Sequence, residues 1–538
     1  MTTEAIGSAD ADRGAASDGL MARLSRRSLV ILSIWFVLFA VELIVSINLA
    51  GGRLVFTLDD AYIHLAVADQ ILSGGYGVNP GEFSSPSSSI IWPYLIAATE
   101  AVHLGGWGPL LISAAAAAAT IVTIMRLLEG CGLFDAAGSW LVGALCVTTI
   151  FIISAVALPM TGLEHSLHVW ATVTTFAGLA AAAQGRAPSG LQIAALVLLP
   201  LIRFEGAALA CAALAALVLL RQRRAAALAA ALIAAALLAY AARMHALGLP
   251  LLPSSVLLKA RFVEAAYERT AAFSAVTDNL ILSLINPYGQ RLLLLGMAVA
   301  ATACWLRGDR PALIIAGAVL AAVGGHVAFG QYDWFHRYEV YVIALAAVAW
   351  LWLVARLRPH LDARVATALN APLLMLLGFA AWPYVAAALA TPLASRNIYQ
   401  QQYQMGRFAR EFYRHPVAVN DLGLVAYRNP NYVLDLWGLG SEPVRKAKLA
   451  GHYGPAEMAA LAAQHAVGMA MIYDRWFPQG VPASWTKVAV LHTPFVTVAV
   501  GDVAFYRTPD ADPAEVTRAL EAFAPTLPPN VALDIMSR

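Results

Sequence analysis

The sequence predicts a polytopic α-helical membrane protein of about eleven spans, followed by a small extracytoplasmic α/β domain. Three observations predict this. Of 538 residues 60% are hydrophobic and 13% are charged, with a mean hydropathy of +0.68; a soluble globular protein carries about 25% charged residues. Arginines collect in alternate loops between apolar runs. Those runs stop near residue 392, and short strand-like stretches then mix with a helical pattern.

The remaining composition is less specific. The net charge of +2 identifies no partner. No basic patch large enough for nucleic acid exists. The four cysteines, Cys131, Cys146, Cys211 and Cys304, lie in or beside apolar segments. They imply buried thiols rather than a disulfide framework.

Residues 1–28 read as a disordered cytoplasmic N-terminus. They show no suitable cleavage site, and the first apolar run is too long for a signal-peptide core. That run is expected to be retained as an anchor. The eleven expected spans are 29–50, 109–128, 138–158, 164–183, 189–203, 205–220, 225–246, 288–306, 311–330, 338–355 and 367–390, each judged against the ~20 apolar residues a bilayer requires. A break is expected at Pro200-Leu201-Ile202-Arg203-Phe204-Glu205-Gly206. The stretch 88–104 carries Trp92, Pro93 and Glu100 and is expected to lie at the interface.

Charge fixes the expected orientation. With a cytoplasmic N-terminus, the inner loops carry Arg23, Arg26, Arg27, Arg126, Arg186, Arg221, Arg223, Arg224, Arg307, Arg310, Arg356, Arg358 and Arg364. The outer connections carry fewer: Arg53, Arg203, Lys259, Arg261, Arg269 and Arg337. This is the positive-inside pattern. It places the first outer loop, 51–108, and the C-terminal part, 393–538, on the same side. In the latter, strands are expected near Pro416–Val419, Val467–Tyr473, Lys487–Leu491 and Val496–Ala499, with a helix over Pro455–Ala466.

The same orientation places Asp59, Asp60, Glu164, Arg203, Glu205, Lys259 and Arg337 on one face. Charged groups at membrane depth are costly unless they serve a site, although helix ends also attract them. Asp59 and Asp60 stand where a helix over Asp60–Leu72 begins. A cap explains one acid, and two exceed that need. His64 lies one turn beyond Asp60, and Ile63, Val67 and Ile71 form an apolar stripe. The Gly-, Pro- and Ser-rich stretch Ser73–Ser89 reads as a loop with hydroxyls suited to sugar or phosphate.

Asp59-Asp60-Ala61-Tyr62-Ile63, the short helix after it, Gly77-Val78-Asn79-Pro80-Gly81-Glu82 and the Ser/Pro stretch together resemble the first outer loop of polyprenyl-phosphate-sugar-dependent glycosyltransferases of the GT-C fold. The likeness is strongest to mycobacterial terminal arabinofuranosyltransferase-like proteins and their bacterial relatives. Thr161-Gly162-Leu163-Glu164, Arg203-Phe204-Glu205-Gly206 and Phe335-His336-Arg337-Tyr338 resemble further elements of that group. So do Val419-Asn420-Asp421-Leu422-Gly423 and Val433-Leu434-Asp435-Leu436-Trp437-Gly438-Leu439. The chain departs from the group at Phe204, which stands in place of proline, and at His64, in place of a small residue.

The resemblance implies a membrane enzyme of the bacterial cytoplasmic membrane, with its site facing outward. It would move a sugar from a polyprenyl-phosphate donor to a cell-envelope glycan or lipid acceptor. A phosphate leaving group needs positive charge, and an acceptor hydroxyl needs a base. Resemblance and chemistry together give Asp59 as base, with Asp60 orienting it or binding metal. Arg203, Lys259 and Arg337 are phosphate candidates. Glu82, Glu164, Glu205 and Tyr62 are substrate-binding candidates. Asp60 and His64, near Glu164 and His165, are candidate ligands for a divalent Mg or Mn ion, though their spacing matches no recognised motif. His165 and His168 read as packing residues. The alternative is a transporter or flippase of lipid-linked sugars. It should show polar residues deep within several spans, whereas these spans are almost uniformly Ala, Leu and Val.

Overall fold

A computed structural model describes residues 24–134, 139–259 and 272–536. Most of the expected N-terminal tail, together with Arg261 and Arg269, lies outside the described residues.

Helices occupy all eleven positions where spans were expected. Among the described residues, seven helical segments are long and apolar enough to cross a membrane: Arg26–Leu49, Trp107–Gly130, His165–Ala183, Arg223–Ala246, Arg310–Phe329, Val340–His360 and the apolar part of Ala363–Tyr413. The expectation of eleven full spans is therefore corrected. Ser139–Ile152, Gly190–Ile202 and Gly206–Leu219 have 14, 13 and 14 residues. At ~1.5 Å per residue each reaches only about 20 Å. Pro287–Trp305 is longer, but its first turns carry Gln290 and Arg291.

Ala272–Ile285 is a helix the sequence reading missed. Its Asn279 donates to the carbonyls of Val327 and Gly330 at 3.3 and 2.9 Å, so this polar side chain turns inward. Trp92–Glu100 is a nine-residue helix, too short to cross. Val340–Leu357 forms the centre of the bundle and is buried everywhere except at Arg356. It packs against His165–Ala183 and Pro287–Trp305. By contrast, Arg223–Ala246 buries only Ala226, Ala229, Tyr240 and Met244, leaving an apolar face suited to lipid.

The C-terminal part holds a six-stranded mixed sheet in the order β2-β1-β3-β5-β4-β6. The strands are β1 Val417–Val419, β2 Val433–Asp435, β3 Met469–Ile472, β4 Thr486–His492, β5 Asp502–Arg507 and β6 Ala532–Ile535. β1 runs parallel to β2 and β3, and the remaining pairings are antiparallel. Val496–Ala499 is not a strand. The backbone amides of Val496, Thr497 and Val498 instead donate to Asn397 Oδ1 at 3.1, 2.8 and 3.1 Å, which satisfies them without a ladder partner.

Asn397 lies near the end of the long helix Asn370–Gln400. Gln400 donates to the Pro529 carbonyl at 3.1 Å, and Gln401 to the Val500 carbonyl at 2.7 Å. One helix thus leaves the bundle and is stitched into the sheet domain. That connection sets the domain over the end of the bundle where the charged residues gather.

Candidate active site

A cavity of about 870 Å³ lies between the helical bundle and the C-terminal domain. Asp59, Asp60, His64, Arg203, Glu205 and Arg337 all line it. Asp421, Trp437 and Trp476 line it from the sheet domain.

The approach to the first acids is built locally. The Thr57 amide donates to the Met160 carbonyl at 3.0 Å, tying the loop after the first helix to the turn before Glu164. Gly162 makes that turn at φ +68°, and a Cβ there would stand 2.7 Å from the Phe56 ring. Asp59 and Asp60 follow at the start of Asp60–Leu72.

Asp59 does not cap its helix. Its backbone is already helical and its side chain makes no cap bond. Its carboxylate instead accepts the backbone amides of Gly423 and Leu424 at 2.6 and 2.8 Å. A Cβ on Gly423 would lie 2.1 Å from the Asp59 carbonyl oxygen, so only glycine permits this approach. Burial, then the nearby Asp421 carboxyl, pushes the Asp59 carboxyl well above its ordinary range. Burial also raises Asp421, whose Oδ2 accepts from Gln402 Nε2 and the Tyr473 hydroxyl at 2.8 and 2.9 Å. Two neighbouring buried carboxyls cannot both ionise cheaply.

Asp60 faces the cavity and accepts from Arg337 Nη2 at 2.7 Å. Arg337 is 3% exposed, and its Nε and Nη1 have no hydrogen-bond partner among the described residues. Its guanidinium also lies 4.9 Å from the Tyr338 ring centre. The residues just before it, Asp333, Trp334, Phe335 and His336, all have left-handed backbones, with φ of 70, 51, 64 and 58°. This conformation costs roughly 1–2 kcal/mol per residue. Such strain persists where the surroundings impose it, commonly at functional sites.

Arg203 is placed differently. Its Nη1 donates to Glu164 Oε1 at 2.8 Å and contacts His165 Nε2 at 3.1 Å. Its Nε and Nη2 grip Glu205 at 3.2 and 2.8 Å. Every guanidinium nitrogen is engaged, which departs from its expected place as a free phosphate ligand. Glu164 is buried behind the cavity wall, where it also accepts from Ser88 Oγ at 3.1 Å. His64 Nδ1 contacts Ser87 Oγ at 3.0 Å, its Nε2 lies 3.8 Å from Glu164, and burial lowers its pKa.

Two expected substrate residues lie elsewhere. The Tyr62 hydroxyl accepts the Phe56 amide at 3.1 Å, and its ring packs between Phe56 and Tyr427. Glu82 accepts from Asn79 Nδ2 at 3.1 Å, beside β2, and does not line the cavity. Neither side chain lines the cavity. The side chain of Lys259 lies outside the described residues. Conversely, His165 lines the cavity rather than merely packing.

The proposed metal ligands fit poorly. Among the described residues, no three His, Cys, Asp or Glu side chains are grouped to hold an ion. Asp60 is paired with Arg337, and the His64 ring nitrogens face Ser87 and Glu164.

The sequence reading gave no role to Asp421, Gln402, Trp437 or Trp476. The motif likeness around residues 420 and 437 pointed only toward Asp421 and Trp437; the fold brings all four to the acids from more than 300 residues away.

A family model described as a domain of unknown function, DUF8728, matches residues 396–507. No curated protein matches the chain. The apo oligosaccharyltransferase of Archaeoglobus fulgidus is 12% identical over 86% of this chain and 73% of that one, with a TM-score of 0.45. The same enzyme with Zn and sulfate is 14% identical over 92% and 74%, with a TM-score of 0.44. The Archaeoglobus fulgidus oligosaccharyltransferase AglB, in complex with an inhibitory peptide and a dolichol-phosphate, is 12% identical over 89% and 75%, with a TM-score of 0.41.

Proposed function

We propose that this chain is an integral membrane glycosyltransferase that moves a sugar from a polyprenyl-phosphate donor to a cell-envelope acceptor on the outer face of the cytoplasmic membrane. One observation carries the reading: Arg337 is buried at a large cavity, bound to Asp60 through one nitrogen, with two others unpartnered among the described residues. A buried guanidinium with open donors is a strong seat for a phosphate oxyanion.

The cavity walls fit the two substrates. Leu252, Val256, Leu282 and Phe329 give one side an apolar lining, and Leu252 and Phe329 are also exposed outward. A polyprenyl chain fits that side. Asn420, Asp421 and Gln402 give the opposite side hydrogen-bonding groups for an acceptor.

The reaction forms a bond between the acceptor oxygen and the donor anomeric carbon, and breaks that carbon's bond to the phosphate oxygen. The leaving phosphate takes the electron pair and is stabilised at Arg337. The hydroxyl proton passes to a carboxylate. Asp60 is the acid placed for this, because it faces the cavity beside Arg337, whereas Asp59 binds the backbone amides of Gly423 and Leu424. Asp59 and Asp421 then shape the field around it. Arg203 holds Glu164 and Glu205 in place.

Purified protein incubated with labelled polyprenyl-phosphate sugars and envelope extracts tests this reading. Transfer of label from any donor supports it. Binding of the lipids without transfer favours a transporter.

A further inference from the structure

Beyond the acids, the cavity wall contributed by the C-terminal domain is aromatic. The rings of Trp437 and Trp476 lie 4.8 Å apart, inclined at 51°. Both border the main cavity. Trp476 also borders a second cavity of about 290 Å³, lined by Lys448, Tyr453, Phe477 and Gln479 among others. That volume is near the lower end of the roughly 300–1,000 Å³ typical of small-molecule sites.

Lys448 lines the smaller cavity and reaches a tryptophan of the larger one. Its Nζ lies 3.8 Å from the Trp437 ring centre and 5.3 Å from that of Tyr453. It forms no salt bridge among the described residues, and both oxygens of nearby Asp435 accept backbone amides, from Trp437 and Gly440 at 2.8 and 2.7 Å. The ammonium is held by aromatic faces, and its hydrogens remain available to hydroxyl oxygens.

We propose that Trp437, Trp476 and Lys448 form an acceptor subsite for a glycan of at least two sugar residues, with the terminal sugar in the main cavity and the next in the smaller one. Sugar rings present flat C–H faces that pack on indole, and their rims of hydroxyls suit Lys448 and Gln479. A single lipid headgroup would fill the first cavity and leave the second without use. Two cavities that share Trp476 as a wall suit a chain of repeating rings. The identity of the bound chain as an acceptor rests on the glycosyltransferase reading; its binding does not.

The test is direct binding to the full-length protein in detergent or nanodiscs, by calorimetry, of an oligosaccharide series from one to six residues. Polyprenyl phosphate is titrated separately. Affinity should rise from mono- to disaccharide. Trp476→Ala and Lys448→Met should each weaken disaccharide binding about 10-fold or more, as for an anchor in a binding pocket, while polyprenyl phosphate binding stays unchanged and confirms folding. Trp476→Phe, which preserves packing, should lose less. No oligosaccharide binding, or equal binding by Trp476→Ala, overturns the subsite. Loss of polyprenyl phosphate binding by the unaltered protein would count against the donor reading alone.

Discussion

Asp59 and Gly423 meet at 2.6 Å, carboxylate to backbone amide, across 364 residues of sequence. This contact fastens the C-terminal domain to the loop that carries the cavity acids. Asp59→Asn should loosen it, because one carboxamide nitrogen would then face an amide hydrogen. Hydrogen bonds to charged groups contribute about 1.5–3 kcal/mol. Hydrogen exchange at Gly423 and Leu424 should accelerate in this variant and in Gly423→Ala. Unchanged protection at both amides would remove the clamp role.

Asp60→Asn should separate chemistry from binding. Loss of general-base assistance lowers turnover by about 10²–10⁴-fold. Polyprenyl phosphate should still bind, since Arg337 keeps its open donors. Asp59→Asn should cost less turnover than Asp60→Asn. The reverse order would return the base to Asp59.

The two arginines should fail in different ways. Arg337→Ala should weaken polyprenyl phosphate binding, with little rescue by lysine, whose ammonium lacks the planar fork. Arg203→Ala should chiefly destabilise, because it strands Glu164 and Glu205; breaking a buried pair costs about 3–5 kcal/mol. Thermal melts and donor titrations distinguish these results. Equal melting temperatures with equal loss of donor affinity would place both on the phosphate.

The Asp59–Asp421 pair predicts a pH dependence. Both carboxyls are raised in the folded state above their ordinary 3.8. The folded protein therefore binds more protons than the unfolded chain between 3.8 and the raised values. That stability is fully present below the unfolded value and is lost as pH rises through the folded one. Melting temperature should decline with rising pH across this window, and Asp421→Asn should flatten the slope. An unaltered slope in that variant would remove the pair as its source.

Topology is tested by labelling. Ser73 and Ala463 are both exposed. Ser73→Cys and Ala463→Cys, each made without the four native cysteines, should react with an impermeant reagent on spheroplasts. Protection of both would reverse the orientation and place the cavity inside.

The sequence by itself made most helical segments of the bundle legible from consecutive residues, because membrane hydropathy is a local property; Ala272–Ile285 was the exception. It also determined that Asp59, Asp60, Arg203, Glu205 and Arg337 would gather, because charge near helix ends is legible from the pattern of apolar runs. It overcounted full spans because apolar runs of 13 or 14 helical residues, such as Gly190–Ile202 and Gly206–Leu219, fall short of a bilayer even where the break between them is legible. The partners follow from long-range packing: Arg203 closed on Glu164 and Glu205, Arg337 left with two unpartnered nitrogens among the described residues, and Asp59 committed to Gly423. The contacts Asp60–Arg337 and Asp59–Gly423 cross 277 and 364 residues. No local period encodes such distances, and which donor remains unpaired depends on the packing of every neighbour at once.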